Sequence, residues 1–159
     1  MEIESEAVVE GFARARWPGR LEACPGQPRL WWDGAHNPDG FAALAGAWRE
    51  DLRFEPPEAV VLALAQDKDA GAIARLLGPW VTPARIIATQ SRSARALPAG
   101  ELRARLGAEG LDAQEAPGVA EAVEAALAGA PNGRVLLCGS LVAGAEAMEA
   151  FGGAPGEWL

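Results

Sequence analysis

Apolar and polar positions follow two different periods along this chain, and together they predict strands that alternate with helices. Short apolar runs predict strands at 21–24, 29–33, 58–65, 84–89, 111–115 and 134–138. Apolar residues that recur every three or four positions predict helices at 2–16, 39–53, 69–78, 98–109, 118–129 and 141–150. The run at 58–65 is almost unbroken, which is typical of a strand covered on both faces.

This order of elements predicts an α/β fold, a Rossmann-like open sheet of about six strands with helices on both faces. The turn at 25–28 is too short for a crossover, so we expect the first strand to run antiparallel and the other five parallel. The Gly/Pro-rich segment 152–159 is predicted to be a loose tail.

Ligands of open α/β sheets bind at the carboxyl ends of the strands. The loops that would lie there are 33–38, 66–69, 90–98, 116–118 and 139–140. The first of them begins with Asp33 and contains the only histidine of the chain, His36. We therefore expect this loop to form part of a functional site.

The candidate side chains in these loops also have structural interpretations. Asp33 could accept backbone N–H bonds from the turn that follows it. Ser140 could cap the last helix, a role compatible with an anion bound at the helix N-terminus. Lys68, between two aspartates, could form only a surface ion pair. Arg92 and Arg95 lie in a basic loop that suits phosphate or carboxylate, or they could simply be solvated.

Composition excludes several classes of function. A length of 159 residues fits one domain, and a net charge of −8 disfavours a nucleic-acid-binding protein. Thirteen of the 14 basic residues are arginine, and the single lysine, Lys68, is not in a phosphate-binding P-loop motif. One histidine and two distant cysteines, Cys24 and Cys138, do not make a metal motif, and the cysteines are expected to be reduced.

Two further classes are disfavoured by the absence of their motifs. A Ser-His-Asp triad is available by inventory, but no G-x-S-x-G elbow supports it. With neither a secretory signal nor an apolar run long enough to cross a membrane, a cytoplasmic protein without membrane partners is expected.

Five short motifs carry a resemblance to a known family. They are Trp17-Pro18-Gly19-Arg20-Leu21-Glu22, Asp33-Gly34-Ala35-His36-Asn37-Pro38, Asp67-Lys68-Asp69, Arg95-Ala96-Leu97-Pro98 and Gly139-Ser140. Together they resemble the C-terminal domain of folylpolyglutamate synthase/dihydrofolate synthase, of the Mur ligase superfamily. The resemblance implies a C-terminal domain at 17–151, preceded at 1–16 by the last helix and hinge of a larger N-terminal ATPase domain.

The resemblance also implies a reaction and its partners. The family uses ATP and magnesium to join L-glutamate to dihydropteroate or a folate through an acyl phosphate. The P-loop and the magnesium ligands would lie on the N-terminal domain of the same polypeptide, so this chain alone is expected to be inactive. The alternative is a non-catalytic module that binds a small molecule on the same fold.

The implied site residues fall into three groups. Arg20 and Asp33 would contact the nucleotide, with Arg20 near phosphate and Asp33 at the ribose hydroxyls. His36 and Ser140 would hold the incoming glutamate. The remaining candidates are Asn37, which would hold the turn, and the less specific Lys68, Arg92 and Arg95. No catalytic residue and no metal ligand are implied on this chain.

Overall fold

The computed structural model describes residues 8–11, 17–81 and 85–152. Residues 8–11 are helical and exposed, while the rest of the predicted helix 2–16 and the tail after Gly152 lie outside the described residues. The strands are β1 (Glu22–Cys24), β2 (Gln27–Trp32), β3 (Ala59–Leu62), β4 (Arg85–Ala88), β5 (Ala113–Glu115) and β6 (Val135–Cys138). The helices are α1 (Pro38–Gly46), α2 (Ala70–Val81), α3 (Ala99–Ala108), α4 (Val119–Gly129) and α5 (Leu141–Phe151).

The six strands form one sheet in the order β1-β2-β6-β3-β4-β5. β1 is antiparallel to β2, and the other neighbours are parallel. The predicted fold class is therefore confirmed, including the single antiparallel strand. β6, the last strand along the chain, lies between β2 and β3, so residues distant in sequence become neighbours at the carboxyl edge.

Helices cover both faces of the sheet. One apolar cluster joins α1, α2 and α3 to side chains such as Val60 and Leu62, and the other joins α4 and α5 to Val61 and Ala63. Successive strand residues point to opposite faces, so the continuous apolar run of β3 supplies both cores at once.

The two adjacent tryptophans of β2 follow the same alternation. Trp32 is buried in the α4/α5 cluster, and Trp31 packs on the other side. Trp31 makes edge contacts with Trp48 and Phe54, with ring centroids 6.1 and 5.1 Å away. Trp32 is thus a core residue, and Trp31 packs against the core while partly buried.

Several element boundaries differ from the predicted ones: β2 begins earlier, at Gln27, β5 begins later, at Ala113, and three further differences concern the core. The predicted helix 39–53 becomes α1 followed by a π-helical turn, Ala47–Asp51, which places Trp48 in the core with its indole N–H donated to the Glu55 carbonyl at 2.8 Å. α2 continues through Pro79 to Val81, and this extension buries Trp80. β3 ends at Leu62 although its burial extends to Leu64.

Both cysteines are buried free thiols. Burial, and then the negative charge of Asp33, raise the pKa of the Cys138 thiol. Within the described ranges, no helix combines the length and the apolar character needed to cross a membrane.

Candidate functional site

The carboxyl ends of four parallel strands meet at one edge of the sheet. Trp32 of β2 pairs with Leu137 of β6, and Leu137 pairs with Val61 of β3, so these strands end at nearly the same height. β4 continues the row beside β3. The loops after β2, β3, β4 and β6 therefore converge, whereas the loop at 116–118, which follows the edge strand β5, lines neither of the two clefts described below.

The long loop after β4 is held against the end of β3 by backbone hydrogen bonds. Leu97 N–H donates to the Leu64 carbonyl at 2.8 Å, and Gln66 N–H donates to the Arg95 carbonyl at 2.9 Å. Ala65 and Ala96 form an antiparallel bridge between these bonds. This pairing brings Arg95 and Lys68 to the same side of the site.

Asp33 fixes the backbone on both sides of it. Its Oδ1 accepts a bond from Ala35 N–H at 2.7 Å, and its Oδ2 accepts one from Leu21 N–H at 2.8 Å. The first bond is the capping role that the sequence left open. The second links the loop before β1 to the end of β2, which the sequence did not indicate.

A first cleft, the Arg20 cleft, lies beside Asp33 and has a volume of about 260 Å³. Arg20 and Asp33 line it, with Ala35 and the α1 residues Gly40 and Ala43 among the other walls. The Arg20 side chain is exposed. The two residues predicted to contact a nucleotide therefore share one cleft.

A second cleft, the His36 cleft, has a volume of about 230 Å³. It is lined by His36, Ser140, Lys68 and Arg95, together with apolar residues that include Leu141. The structure thus brings both predicted glutamate contacts together with two of the less specific candidates. The loop 33–38 lines both clefts, with His36 in this one and Asp33 and Ala35 in the Arg20 cleft.

The His36 ring is held in one tautomer. Its Nδ1 lies 2.7 Å from the Gly34 carbonyl oxygen, which can only accept, so Nδ1 carries the proton. In the neutral ring, Nε2 then has a free lone pair. The next residue, Asn37, caps α1 by accepting a bond from Gly40 N–H at 2.7 Å, so it holds the turn.

Ser140 is the N-cap of α5. Its Oγ accepts a bond from Ala143 N–H at 3.3 Å. The preceding Gly139 has φ +100°, and a Cβ there would overlap the Ala63 carbonyl oxygen, so only glycine fits. The first N–H groups of a helix have no partner within the helix, and the first two residues of α5, Leu141 and Val142, line the His36 cleft. This arrangement suits a carboxylate.

An aspartate that sequence analysis did not propose as a site residue bridges the two cations of the cleft. Asp67 accepts Lys68 Nζ at 3.1 Å on one oxygen and Arg95 Nη2 at 3.2 Å on the other. The hydrogen bond from Lys68 is the main cause of a lowered pKa of the Asp67 carboxyl. These exposed pairs contribute little stability, but they hold two positive side chains at one wall.

Arg92 does not enter the His36 cleft. Its guanidinium pairs with Glu149 and lies 3.6 Å from Glu146, and its backbone N–H donates to Glu146 at 2.7 Å. These contacts attach the β4 loop to α5, and they raise the pKa of Arg92, mainly through Glu149. The structure therefore separates Arg92 from Arg95, two residues that the sequence treated alike.

Two other features of the described residues concern where else a ligand or a metal ion could bind. A larger concavity of about 560 Å³ lies near Arg103 and Asp112 at the opposite side of the sheet from β1, and no candidate residue lines it. The described residues contain no group of three or more His, Cys, Asp or Glu side chains that could hold a metal ion.

Comparisons with known proteins match this architecture. The model of the family described as "Mur ligase, glutamate ligase domain" matches residues 19–141. Folylpolyglutamate synthase of Lacticaseibacillus casei is 31% identical over 139 residues, which are 87% of this chain and 31% of that protein. The chain thus spans about a third of the length of this curated relative.

Solved structures show the same relationship. Mycobacterium tuberculosis folylpolyglutamate synthase complexed with ADP superposes with a TM-score of 0.83 at 29% identity, covering 97% of this chain and 36% of that one. The bifunctional folylpolyglutamate synthase/dihydrofolate synthase of Yersinia pestis, with Mn, AMPPNP and L-glutamate bound, gives a TM-score of 0.78 at 25% identity, covering 94% and 35%. With the family model matching most of its length, the chain belongs to the Mur ligase family, as a glutamate ligase domain.

Proposed function

We propose that this chain is the C-terminal domain of an ATP-dependent ligase that adds L-glutamate to dihydropteroate or folates through an acyl phosphate. The observation that carries the proposal is the pair of clefts that the loop 33–38 lines. One cleft presents an arginine and a carboxylate, and the other presents a histidine, a helix N-terminus and two cations. The first set of groups suits the phosphates and ribose hydroxyls of a nucleotide, and the second suits the carboxylates and amino group of a dicarboxylic amino acid.

Arg20 and Asp33 would bind the nucleotide. The exposed guanidinium of Arg20 would pair with phosphate oxygens. Each oxygen of Asp33 accepts one backbone bond, and each retains acceptor capacity for a ribose hydroxyl. The M. tuberculosis structure complexed with ADP supports this part of the proposal.

The His36 cleft would bind glutamate. One carboxylate fits the N-terminus of α5 at Ser140, where unpaired N–H groups and the helix dipole favour an anion. Lys68 and Arg95, which line the same cleft, would attract the other carboxylate. The Nε2 lone pair of His36 would accept a hydrogen bond from the amino group and orient it towards the acyl phosphate. The Yersinia pestis relative with L-glutamate bound supports this assignment.

The rest of the reaction would need a larger N-terminal domain of the same polypeptide. This chain has no P-loop motif, and the described residues contain no group of three or more potential metal ligands. The larger domain would supply the phosphate loop, the magnesium ligands and the pterin site. An acyl phosphate is lost quickly to water, so closure of this domain over the larger one would exclude water and complete the site. Such an enzyme would act in the cytoplasm.

The test is a steady-state assay of the complete polypeptide with dihydropteroate and with reduced folate in parallel. We expect glutamate-dependent ADP release with at least one of the two. His36→Ala should raise the KM for glutamate more than the KM for ATP, whereas equal changes would contradict the glutamate role. Binding of nucleotide or glutamate without ADP release would instead indicate a non-catalytic module.

The isolated chain provides a second test, because it is expected to fold without ligase or ATPase activity. Hydrolysis of ATP by the purified 159-residue chain, abolished by Asp33→Ala, would contradict the division of roles between two domains.

A further inference from the structure

The backbone around Arg20 is held from both sides by carboxylates. Gly19 N–H donates to Glu22 Oε2 at 3.2 Å, and Leu21 N–H donates to Asp33 Oδ2 at 2.8 Å. The Gly19 carbonyl also accepts a bond from Gly34 N–H at 2.8 Å. The amide groups that flank Arg20 are therefore fixed, although its side chain is exposed.

This fixed loop contains an unfavourable backbone conformation. Leu21 has φ +43°, in the left-handed region that residues with a Cβ seldom adopt. Its side chain packs against the core cluster beneath α1. A conformation of this kind persists only where the surrounding contacts impose it. The bonds from Glu22 and Asp33 on either side of Arg20 are such contacts.

Glu22 is itself held by a hydrogen bond from a buried side chain. The oxygen that accepts the Gly19 bond also accepts the indole N–H of Trp32 at 3.2 Å, and Trp32 is buried in β2. Glu22 therefore connects a rigid strand to the loop that carries Arg20. The other carboxylate of the pair, Asp33, follows the same strand directly.

We infer that Glu22 is a positioning residue that, with Asp33, clamps the Arg20–Leu21 backbone so that the Arg20 guanidinium is directed to nucleotide phosphate. This inference rests on the proposed nucleotide role of Arg20. Glu22 acts as a hydrogen-bond acceptor for two donors, and its charge is not required for the clamp. Glutamine can supply the same acceptor oxygen, whereas alanine cannot.

Kinetics of the complete polypeptide test the positioning role. We expect Glu22→Ala to raise the KM for ATP about fivefold, the factor of one net hydrogen bond, with the KM for glutamate unchanged. Glu22→Gln should restore most of the ATP affinity. An unchanged KM for ATP, an equal rise for both substrates, or a Glu22→Gln variant as impaired as Glu22→Ala would each overturn the inference.

Limited trypsinolysis of the chain tests the clamp without any activity. Arg20 and Arg53 are both exposed loop arginines, so cleavage after Arg53 is an internal reference. Glu22→Ala should accelerate cleavage after Arg20 several-fold relative to cleavage after Arg53, because local opening governs the rate. Equal acceleration at both sites, or none, would contradict the clamp.

The two measurements separate the clamp from the proposed function. If the complete polypeptide shows no nucleotide turnover while cleavage after Arg20 responds as expected, the proposed function fails and the clamp remains. Should Glu22→Ala not fold, Glu22→Asp, which shortens the side chain by one methylene and cannot span both donors, takes its place in both experiments.

Discussion

Replacing Asp33 by asparagine, and comparing the result with the same change at an exposed aspartate, tests whether the Asp33 carboxylate stabilises the fold through its hydrogen bonds. Asp33 is half-buried, and each of its oxygens accepts one backbone N–H. Asparagine retains one acceptor oxygen but places an NH₂ group where the second is needed. Either Leu21 or Ala35 then loses its partner and faces another donor.

The magnitude follows from these two bonds. A hydrogen bond to a charged group contributes about 1.5–3 kcal/mol, and an unsatisfied buried donor costs about 1–3 kcal/mol. Because both hydrogen bonds are only partly buried, we take the lower half of these ranges and expect a loss of about 1.5–2 kcal/mol for Asp33→Asn.

Urea denaturation of the 159-residue chain measures this loss as a shift in midpoint at constant m-value. In thermal unfolding, the same loss lowers Tm by about 3–8 °C for a chain of this size. Asp112→Asn is the matched control, since Asp112 is exposed, and it should change stability by less than about 0.5 kcal/mol. If Asp33→Asn were as mild as the control, the two backbone bonds would not stabilise the site.

Three further predictions concern other buried groups. Gly139→Ala should lower the free energy of unfolding by more than about 2 kcal/mol, because the backbone φ of +100° and the Ala63 carbonyl oxygen exclude a Cβ. A thermal unfolding curve close to that of the unmutated chain would contradict this. Thr89→Val should lower the free energy of unfolding by about 1–2 kcal/mol in a urea titration, because the buried Thr89 hydroxyl donates to the Ala116 carbonyl at 3.1 Å. Thr89→Ser should retain this hydrogen bond, so an equal loss of stability in both variants would show that the bond does not stabilise the fold. The raised pKa of Cys138 keeps its thiol protonated in the folded state above pH 9.0, the ordinary pKa, whereas the thiol of the unfolded chain loses its proton there. The free energy of unfolding should therefore fall by about 1.4 kcal/mol per pH unit above pH 9, relative to that of Cys138→Ala. This difference in slope can be isolated because the chain has one lysine and no tyrosine, and parallel curves for the two proteins would refute it.

Local patterns were sufficient for most of the fold. The apolar run 58–65 and the helical spacing that follows each strand predict the α/β class because burial on two faces leaves a direct trace in the sequence. The short turn between the first two strands requires antiparallel neighbours for steric reasons alone. Ser140 caps the helix it precedes, as its position before that helix suggested. Asn37, which was expected to hold the turn, also caps α1.

Several boundaries were set by packing that no local pattern records. The π-helical turn at Ala47–Asp51 rotates Trp48 into the core, and α2 continues past Pro79 because Trp80 gains burial there. In both cases the contacts that decide the conformation come from distant parts of the chain.

The sequence by itself determined the alternation of elements and the loop Asp33–Pro38 as a candidate for function, since both depend on neighbouring residues. Only the tertiary structure decided which loops meet. Insertion of β6 between β2 and β3 brings Ser140 beside His36, and the fold of the β4 loop brings Arg95 to Lys68 while Arg92 pairs with α5. Strand order and side-chain pairing arise from contacts between residues far apart along the chain, and no local period encodes them.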